Sequence, residues 1–198
     1  MEQKLDLRIQ KTYLALTQAF LQMMKEKPLE DIRIGELCER AMIRKSTFYK
    51  HFGDKYELLA FIVRQTQEKF NAQLKEKYTE GSVVDRYMEL ITLVFDYIGE
   101  NKELFESAIQ SNSFPLILSI LSEQIISDIQ QQLQNDAISG ETLPASPNLM
   151  AAFFVGGVME IVYRQLRKGN SLNDPELLRQ IQAILNQFYQ PLNGKESS

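Results

Sequence analysis

The chain has 198 residues, of which 44% are apolar and 24% are charged, and its formal net charge is −4 at pH 7. These values are close to globular averages, and they exclude a disordered, collagen-like or low-complexity chain. A chain of this length buries about 70% of the surface that its unfolded form exposes, so we expect a real hydrophobic core.

The cysteine content and the apolar segments argue against secretion and membrane insertion. The one cysteine cannot form an internal disulfide, which favours a reducing compartment. The first ten residues contain neither an apolar core nor a cleavage site. The longest apolar stretch, residues 149–163, is shorter than the roughly 20 residues that a membrane crossing requires. We therefore expect a cytoplasmic protein with no membrane association.

The charge is unevenly distributed along the chain. Residues 1–56 contain eleven Lys or Arg residues against eight acidic ones, whereas the rest of the chain contains eleven against eighteen. No acidic residue lies between Glu39 and Asp54, although four basic residues do. A basic block at one end of an acidic protein is a candidate surface for a polyanion.

The first part of the chain is predicted to be helical. From near Leu7, apolar residues recur every three or four positions until Pro28 ends the helix. Asp54 with Glu57 three positions later is a capping-box pattern, which predicts the start of a long helix. After the first helix, the predicted helices in this part cover about residues 34–41, 45–52 and 54–78.

The rest of the chain continues the helical pattern with more apolar faces. Ser82 is a candidate N-cap, and Asp174 with Pro175 marks the start of the last helix. Residues 135–148 are polar and broken by glycine and proline, so we expect one long loop there. The predicted helices cover about residues 82–99, 101–110, 115–133, 149–167 and 175–189, which makes nine helices and no sheet.

Residues 32–59 show the pattern of a helix-turn-helix motif, in which two short helices are joined by a turn of about three residues. The second helix must fit a major groove about 12 Å wide and present cationic and hydroxylated side chains to it. Phe48 and Phe52, four positions apart, can anchor its inner face. The groups that can point outward are Lys45, Ser46, Thr47, Tyr49 and Lys50.

These residues also carry a family resemblance. A T-F-Y-x-H-F run is followed by x-K-x-x-L-L, and with this signature the sequence resembles the N-terminal domain of the TetR family of bacterial transcriptional regulators. The resemblance implies a dimeric DNA-binding repressor or activator whose C-terminal domain dimerises and usually holds a small-molecule effector. The matching residues are Ser46–Phe52, Asp54, Lys55, Glu57, Leu58 and Leu59, with Glu36, Leu37, Cys38 and Ala41 in the preceding helix.

The resemblance also implies roles for individual residues. It places Lys45, Ser46 and Thr47 at the groove-facing start of the recognition helix. The positions that it matches to phosphate contacts are Tyr49, His51 and Lys55.

Two residues depart from the family pattern. Met42 stands where the turn usually has glycine, which predicts strain or a different turn if this position requires φ above zero. Arg44 stands where a serine usually caps the recognition helix. A guanidinium cannot accept a backbone N–H bond as serine does, but it could bind a phosphate instead.

Three of these residues have alternative interpretations. Tyr49 could lie at the edge of the core with its hydroxyl in water. His51 could be a general base or a metal ligand, although no other ligand lies at metal spacing. Cys38 is predicted to be a small buried hydrophobe, the alternative being a redox sensor. No cofactor or metal site is predicted.

The glycine pair Gly156–Gly157 suggests a dimer surface. Each glycine inside a helix costs about 1 kcal/mol relative to alanine, and close approach of a helix across a two-fold axis would offset that cost. A simple helix kink is the alternative. The predicted surface uses the last two helices, with Phe153, Gly156, Gly157, Glu160, Leu177, Ile181, Leu185 and Phe188 among its residues.

A small apolar effector of unknown identity is a further expectation. The helices at about 82–99 and 115–133 carry more large apolar residues than one contact face requires, and they could line a cavity. Ordinary core packing explains each single residue equally well. The candidates are Tyr87, Met88, Phe95, Tyr97, Phe105 and Gln124.

Together these features predict an all-α protein with a helix-turn-helix DNA-binding domain at residues 1–54. A dimerisation and effector-binding domain would follow at residues 55–198. The predicted function is a ligand-responsive repressor that binds a palindromic double-stranded DNA operator as a homodimer, and not an enzyme. The alternative is a helical protein–protein adaptor that keeps the fold without binding DNA.

Overall fold

The computed structural model describes residues 7–77, 82–138, 140, 143 and 145–189, with the backbone alone at residues 75–77 and 124. In these ranges the chain forms nine α-helices and no strand, as predicted. A short 3-10 turn, Leu29–Asp31, was not predicted. The helices are α1 (Leu7–Glu26), α2 (Ile34–Arg40), α3 (Lys45–His51), α4 (Lys55–Lys77), α5 (Val83–Glu100), α6 (Lys102–Gln110), α7 (Phe114–Ile138), α8 (Pro147–Arg167) and α9 (Pro175–Tyr189).

The helix starts that the sequence predicted are confirmed by their capping bonds. The Ser82 hydroxyl accepts from the Asp85 amide while the Asp85 carboxylate accepts from the Ser82 amide, which is a complete capping box. Asp54 accepts from the amides of Tyr56 and Glu57 at the start of α4. These short-range bonds satisfy amides that have no partner inside the helix.

The predicted end of α7 was wrong by about one turn. The polar residues after Leu133 indicated a loop, but the helix continues to Ile138. Asp136 is buried and accepts from the Arg86 guanidinium and, at 3.3 Å, from the Tyr87 hydroxyl. Asp136 therefore lies on the buried face of α7, because its charge is paired there. The spacing of apolar residues cannot predict a buried face that contains a charged residue.

One compact unit includes residues 7–65 together with Lys102–Leu121. Its core contains the fully buried side chains Phe20, Leu37 and Phe48, and α1 packs against both α2 and α6. The buried residues of α1 recur at helical spacing and form one long apolar face, which contacts both α2 and α6.

The other unit includes the described residues of 66–101 and 122–189. Its described part has Phe95, Leu133 and Ala151 fully buried, and α5 packs against α9. These units are divided by spatial contact, and the functional division at residue 54 stays a prediction.

Candidate nucleic-acid interface

The turn between α2 and α3 is a Schellman motif. The Met42 amide donates to the Glu39 carbonyl at 3.1 Å, and the Ile43 amide donates to the Cys38 carbonyl at 2.8 Å. This pattern requires a left-handed residue after the helix, and Met42 has φ 54. Ile43 packs against the same core cluster that contains Cys38, which is the hydrophobic contact usual for this motif. The expectation that Met42 stands at a positive-φ position is therefore confirmed.

The recognition helix α3 separates its apolar and polar faces as predicted. Phe48 and Phe52 are buried, and their rings lie 5.8 Å apart in the core. Tyr49 is 57% exposed, and its ring meets the buried Phe48 ring edge to face at 5.4 Å between centroids. Lys45, Ser46 and Lys50 are also exposed, and Thr47 is half-buried. The outward surface therefore consists of cationic and hydroxyl groups.

Arg44 is the N-cap residue of α3 and makes no side-chain cap bond. Its backbone is extended, with φ −70 and ψ 143, and its side chain is exposed. The guanidinium is thus available to an anion at the start of the recognition helix, although the first-turn amides lack the acceptor that a serine would supply.

His51 is held at the end of α3 by a residue of α1. Its Nδ1 lies 3.4 Å from the Tyr13 hydroxyl, and the two rings meet edge to face at 5.2 Å between centroids. A phosphate contact by this ring would therefore use Nε2. No group of three or more His, Cys, Asp or Glu side chains able to hold a metal occurs in the described part of the chain.

Lys55 differs from the other predicted contacts. Its ammonium donates to the carbonyls of Leu29, Glu30 and Ile32 at 2.7, 2.8 and 3.0 Å. Burial lowers the pKa of this ammonium, although nearby carboxylates oppose the shift. Within the chain this ammonium binds these three carbonyls, and the role of Lys55 as a phosphate contact stays a prediction.

Arg40 belongs to the basic block by sequence but is paired with carboxylates. Its guanidinium bonds Glu26 at 2.6 Å and lies 3.6 Å from Glu36, so it ties α2 to α1. Glu26 lies 14 residues before Arg40 and Glu36 lies 4 residues before it, so both carboxylates are outside the basic stretch of the sequence.

Gly35 is a further residue that the sequence analysis did not single out. A Cβ at this position would lie 3.0 Å from the end of the Lys45 side chain, so the glycine leaves room for that side chain.

The predicted effector residues are divided between the two units. Phe95 and Tyr87 are buried in the second unit, while Met88 and Tyr97 are half-buried there. Phe105 packs against the core of the first unit, and the side chain of Gln124 lies outside the described residues. Burial raises the pKa of both the Tyr87 and the Tyr97 hydroxyls. Their role in effector binding stays a prediction.

The predicted dimer residues divide into exposed and buried groups. Phe153 is 60% exposed, and a Cβ at Gly156 or Gly157 would meet nothing within 4 Å. Glu160 is exposed and paired with Arg164 at 2.6 Å, Leu177 is half-buried, and Phe188 lies 5.4 Å from Phe153 between ring centroids. Ile181 and Leu185 are already buried within the chain. The exposed residues that sequence reasoning missed are Leu149 and Ile184.

Helix α8 is the one described helix that is long and apolar enough to cross a membrane by length and composition. Its most apolar 18-residue window has a mean hydropathy of 1.3, and only 22% of that window is buried. The chain's own packing therefore leaves most of this apolar window uncovered. An apolar face of this size needs another surface to cover it.

Helices α2 and α3, their turn and the outward cationic face of α3 have the geometry of a helix-turn-helix motif. Residues 16–62 match the family model described as "Bacterial regulatory proteins, tetR family". An uncharacterized HTH-type transcriptional regulator, YxbF, of Bacillus subtilis (strain 168) is 35% identical over 66 residues. That match covers 33% of this chain and 17% of the relative, so less than a fifth of the relative's length is aligned.

Solved structures show the same fold at low sequence identity. The fatty acid degradation regulator FadR from Bacillus halodurans is 16% identical, with 92% of this chain and 97% of that one covered and a TM-score of 0.63. A candidate TetR-family regulator from Syntrophomonas wolfei is 14% identical, with 90% and 94% covered and a TM-score of 0.70. Residues 16–62 therefore resemble the DNA-binding domain of the TetR family, and most of the chain shares the fold of these solved structures. The adaptor alternative is not favoured.

Proposed function

We propose that this chain is a cytoplasmic repressor that binds a palindromic operator as a homodimer and releases it when a small molecule binds. The observation that carries the proposal is the outward face of α3, where Tyr49 is 57% exposed and Lys45, Ser46 and Lys50 surround it. The buried rings of Phe48 and Phe52 hold this short helix against the core, so its polar groups face outward, as entry into a major groove requires.

Two such helices related by a dyad would enter successive major grooves about 34–36 Å apart. Arg44, Tyr49 and His51 would contact phosphates, while Lys45, Ser46, Thr47 and Lys50 would reach base edges or sugars. Because phosphate contacts release counterions, affinity would fall steeply with salt. Because the dimer has two-fold symmetry, the operator would be a palindrome with half-sites one helical turn apart.

The first experiment is selection of binding sequences from a randomised duplex library, followed by titration of the selected duplex at several salt concentrations. We expect a palindrome, with Lys50→Ala and Tyr49→Phe both weakening binding. Lys168→Ala is the matched control, since Lys168 is exposed at the end of α8, far along the chain from α3. If the wild-type protein shows no preference over random duplex, the proposed function is wrong.

The homodimer is supported by the uncovered surface of α8 and α9. Phe153, Leu149 and Ile184 are exposed, and the open space above Gly156 and Gly157 would accept a helix at close range. The rings of Phe153, Phe154 and Phe188 form one cluster with centroids 5.2 to 6.1 Å apart. Since Ile181 and Leu185 point inward, they would support this surface rather than contact the partner.

Effector response is the part of the proposal that concerns regulation. A ligand that binds better to the form with a different spacing of recognition helices would weaken DNA binding, and by linkage DNA would weaken ligand binding equally. A thermal-shift screen of small apolar compounds, followed by titration with the selected duplex, tests this. Repression is tested by placing the selected site between a promoter and a reporter, where an activator would raise expression instead of lowering it.

A further inference from the structure

The turn between α6 and α7 is hydrogen-bonded to Glu30, which lies between α1 and α2. The Glu30 carboxylate accepts from the Ser111 hydroxyl and, at 2.9 Å, from the Asn112 amide. The Ser111 hydroxyl also accepts from the Ser113 amide at 3.0 Å. Ser111 is buried and a hydroxyl has a single donor, so its hydrogen is committed to Glu30. Both oxygens of one carboxylate therefore hold two successive residues of the turn.

Glu30 lies on a short segment that is itself closely held. We call this segment, Leu29–Ile32, the connector, because it joins α1 to α2. Two backbone hydrogen bonds of 3.0 and 3.2 Å close it as a 3-10 turn. Leu29 and Ile32 are almost fully buried in the core. A movement of the Glu30 carboxylate is therefore passed to the backbone that leads into α2, since the connector has little freedom to absorb it.

The α6–α7 turn belongs to the same core as the recognition helix. Ala108 of α6 and Ile117 of α7 are buried in the cluster that contains Phe48. From this turn α7 runs without a break to Ile138, and its later part belongs to the second unit. Helix α7 therefore begins in the unit that contains the helix-turn-helix motif, where its start is fixed by apolar packing and by Glu30.

The bonds to Glu30 resist a displacement of the turn relative to the connector. The pKa of the Glu30 carboxyl is held at about 2 by its donors, so the group is ionised at neutral pH and its hydrogen bonds are charge-assisted. Hydrogen bonds weaken steeply when their distance or angle changes. A relative displacement would leave the carboxylate or its donors unsatisfied, which raises the free energy of the folded state. The turn and the connector should therefore move together.

We propose that Glu30 is a positioning residue that couples α7 to the helix-turn-helix motif. When a ligand displaces α7, the bonds to Ser111 and Asn112 move the connector, and α2 follows because it begins two positions after the connector. The inference rests on the proposed function for both the ligand and the operator, and it adds the contact through which one acts on the other. Since coupling between two sites is reciprocal, DNA bound by α3 must displace α7 through the same bonds.

The experiment uses the selected duplex as the probe and isoleucine methyl groups of α7 as reporters. The methyl resonances of Ile125, Ile126 and Ile129, in the part of α7 that belongs to the second unit, are recorded by NMR without duplex and with saturating duplex. Chemical shifts report the conformation of the folded protein. They are therefore distinct from the general stabilisation that any ligand of the folded state produces.

Two variants remove the link in different ways. Glu30→Gln removes the charge, and Ser111→Ala removes one donor while keeping the Asn112 amide. The matched control is Glu103→Gln, because Glu103 is an exposed glutamate on α6. The urea midpoint of each protein is measured alongside the spectra, so that a loss of stability is recorded separately from a loss of coupling.

If Glu30 couples the two elements, saturating duplex shifts the three methyl resonances in the wild type and in Glu103→Gln. The shift changes fall by about twofold or more in Glu30→Gln and Ser111→Ala, as expected when one contact of a coupling route is removed. A purely structural role of Glu30 would lower the urea midpoints of both variants and leave the full shift changes in place, and that result would overturn the proposal. If Glu30→Gln does not fold, Ser111→Ala decides by the same comparison.

The experiment also separates this inference from the proposed function. Wild-type protein that is saturated by the duplex without any shift in the α7 methyl groups would refute the coupling and leave the DNA-binding function intact. Wild-type protein that selects no duplex would refute the proposed function, and the coupling through Glu30 with it.

Discussion

Met42 and Gly169 occupy equivalent backbone positions at the ends of two helices. Both follow a Schellman pattern: the Gly169 amide donates to Leu166 and the Asn170 amide to Gln165, as Met42 and Ile43 do after α2. The φ angle is 54 at Met42 and 71 at Gly169. A side chain with a Cβ makes the left-handed region of φ unfavourable. Met42 after α2 therefore adopts a strained backbone conformation, whereas Gly169 after α8 adopts it at little cost.

We expect Met42→Gly to stabilise the protein by about 1 kcal/mol. Met42 is 92% exposed, so the change sacrifices no burial. Gly169→Ala, the reciprocal change, should destabilise by a similar amount. The measurement is the urea midpoint at an unchanged slope, and Met42→Ala should show no gain because it keeps Cβ. Equal midpoints for Met42→Gly and Met42→Ala would show that the turn is not strained.

The ionisation of Glu30 should make the free energy of unfolding depend on pH. The Ser111 hydroxyl and the Asn112 amide hold the pKa of the Glu30 carboxyl at about 2, below its ordinary value of 4.5. Because the folded-state pKa is the lower one, the stabilisation is complete above about pH 4.5 and is lost as the pH falls towards 2. Wild type should exceed Glu30→Gln in stability at neutral pH, and their denaturation curves should converge near pH 2.

Glu176 provides the control for that measurement. Its pKa is also lowered to about 2, but mainly by the Arg179 guanidinium in an exposed pair. Salt screens such a pair, whereas the donors to Glu30 are neutral. The effect of Glu30→Gln should therefore persist at high salt while that of Glu176→Gln disappears. Equal salt sensitivity of the two variants would mean that the bonds to Ser111 and Asn112 contribute nothing.

At the scale of the element, helix α3 begins at Arg44, a cationic N-cap residue whose side chain makes no cap bond. We expect Arg44→Ser to stabilise the protein by about 1 kcal/mol, since serine can accept a first-turn amide. The same change should weaken DNA binding and lower the salt slope by about 0.9 if Arg44 contacts one phosphate. Arg33→Ser is the matched control for the cap, because Arg33 is the N-cap of α2 and also lacks a side-chain bond.

The two measurements on Arg44→Ser have separate consequences. A stability gain with an unchanged salt slope would remove Arg44 from the DNA contacts and leave the cap argument intact. A lower slope without a gain in stability would show that the first turn of α3 is already satisfied by water. Either result would show whether the departure from serine affects binding, folding or both.

The elements also show how far sequence patterns reached. The starts of α4, α5 and α9 follow from short-range chemistry, as with the Ser82 capping box and the Asp174 bond to the Glu176 amide at 3.0 Å. The end of α7 did not follow, because it depends on Asp136 meeting Arg86 from another helix. A local sequence pattern predicts a helix end only where neighbouring residues supply its hydrogen-bond partners.

At the scale of the whole molecule, the exposed face of α8 and α9 should hold two copies together. We expect Phe153→Asp to weaken dimerisation by about thirtyfold or more, since a central aromatic residue contributes about 2 kcal/mol or more to an interface. Sedimentation velocity over a dilution series measures this. Leu14→Asp is the control, because Leu14 is 58% exposed on α1 and Phe153 is 60% exposed. Monomeric wild-type protein would refute the interface, as would equal effects of both variants.

The sequence by itself determined the helical class, the helix-turn-helix pattern and the outward groups of α3. Each of these depends on residues within about one or two helical turns of one another, which periodicity and capping chemistry record directly. The positive φ of Met42 was also foreseeable, since it follows from the turn position.

Only the tertiary structure decided how the charges are used. Arg40 is neutralised by Glu26, Lys55 is surrounded by carbonyls from residues 23 to 26 positions earlier, and Ile181 lies inside the chain although Phe153 does not. Charge and hydropathy along the chain state what a side chain can do, whereas its partner depends on which distant segment folds against it. For that reason the sequence located the basic stretch, and the folded chain determined which of its cations are paired with other residues of the chain.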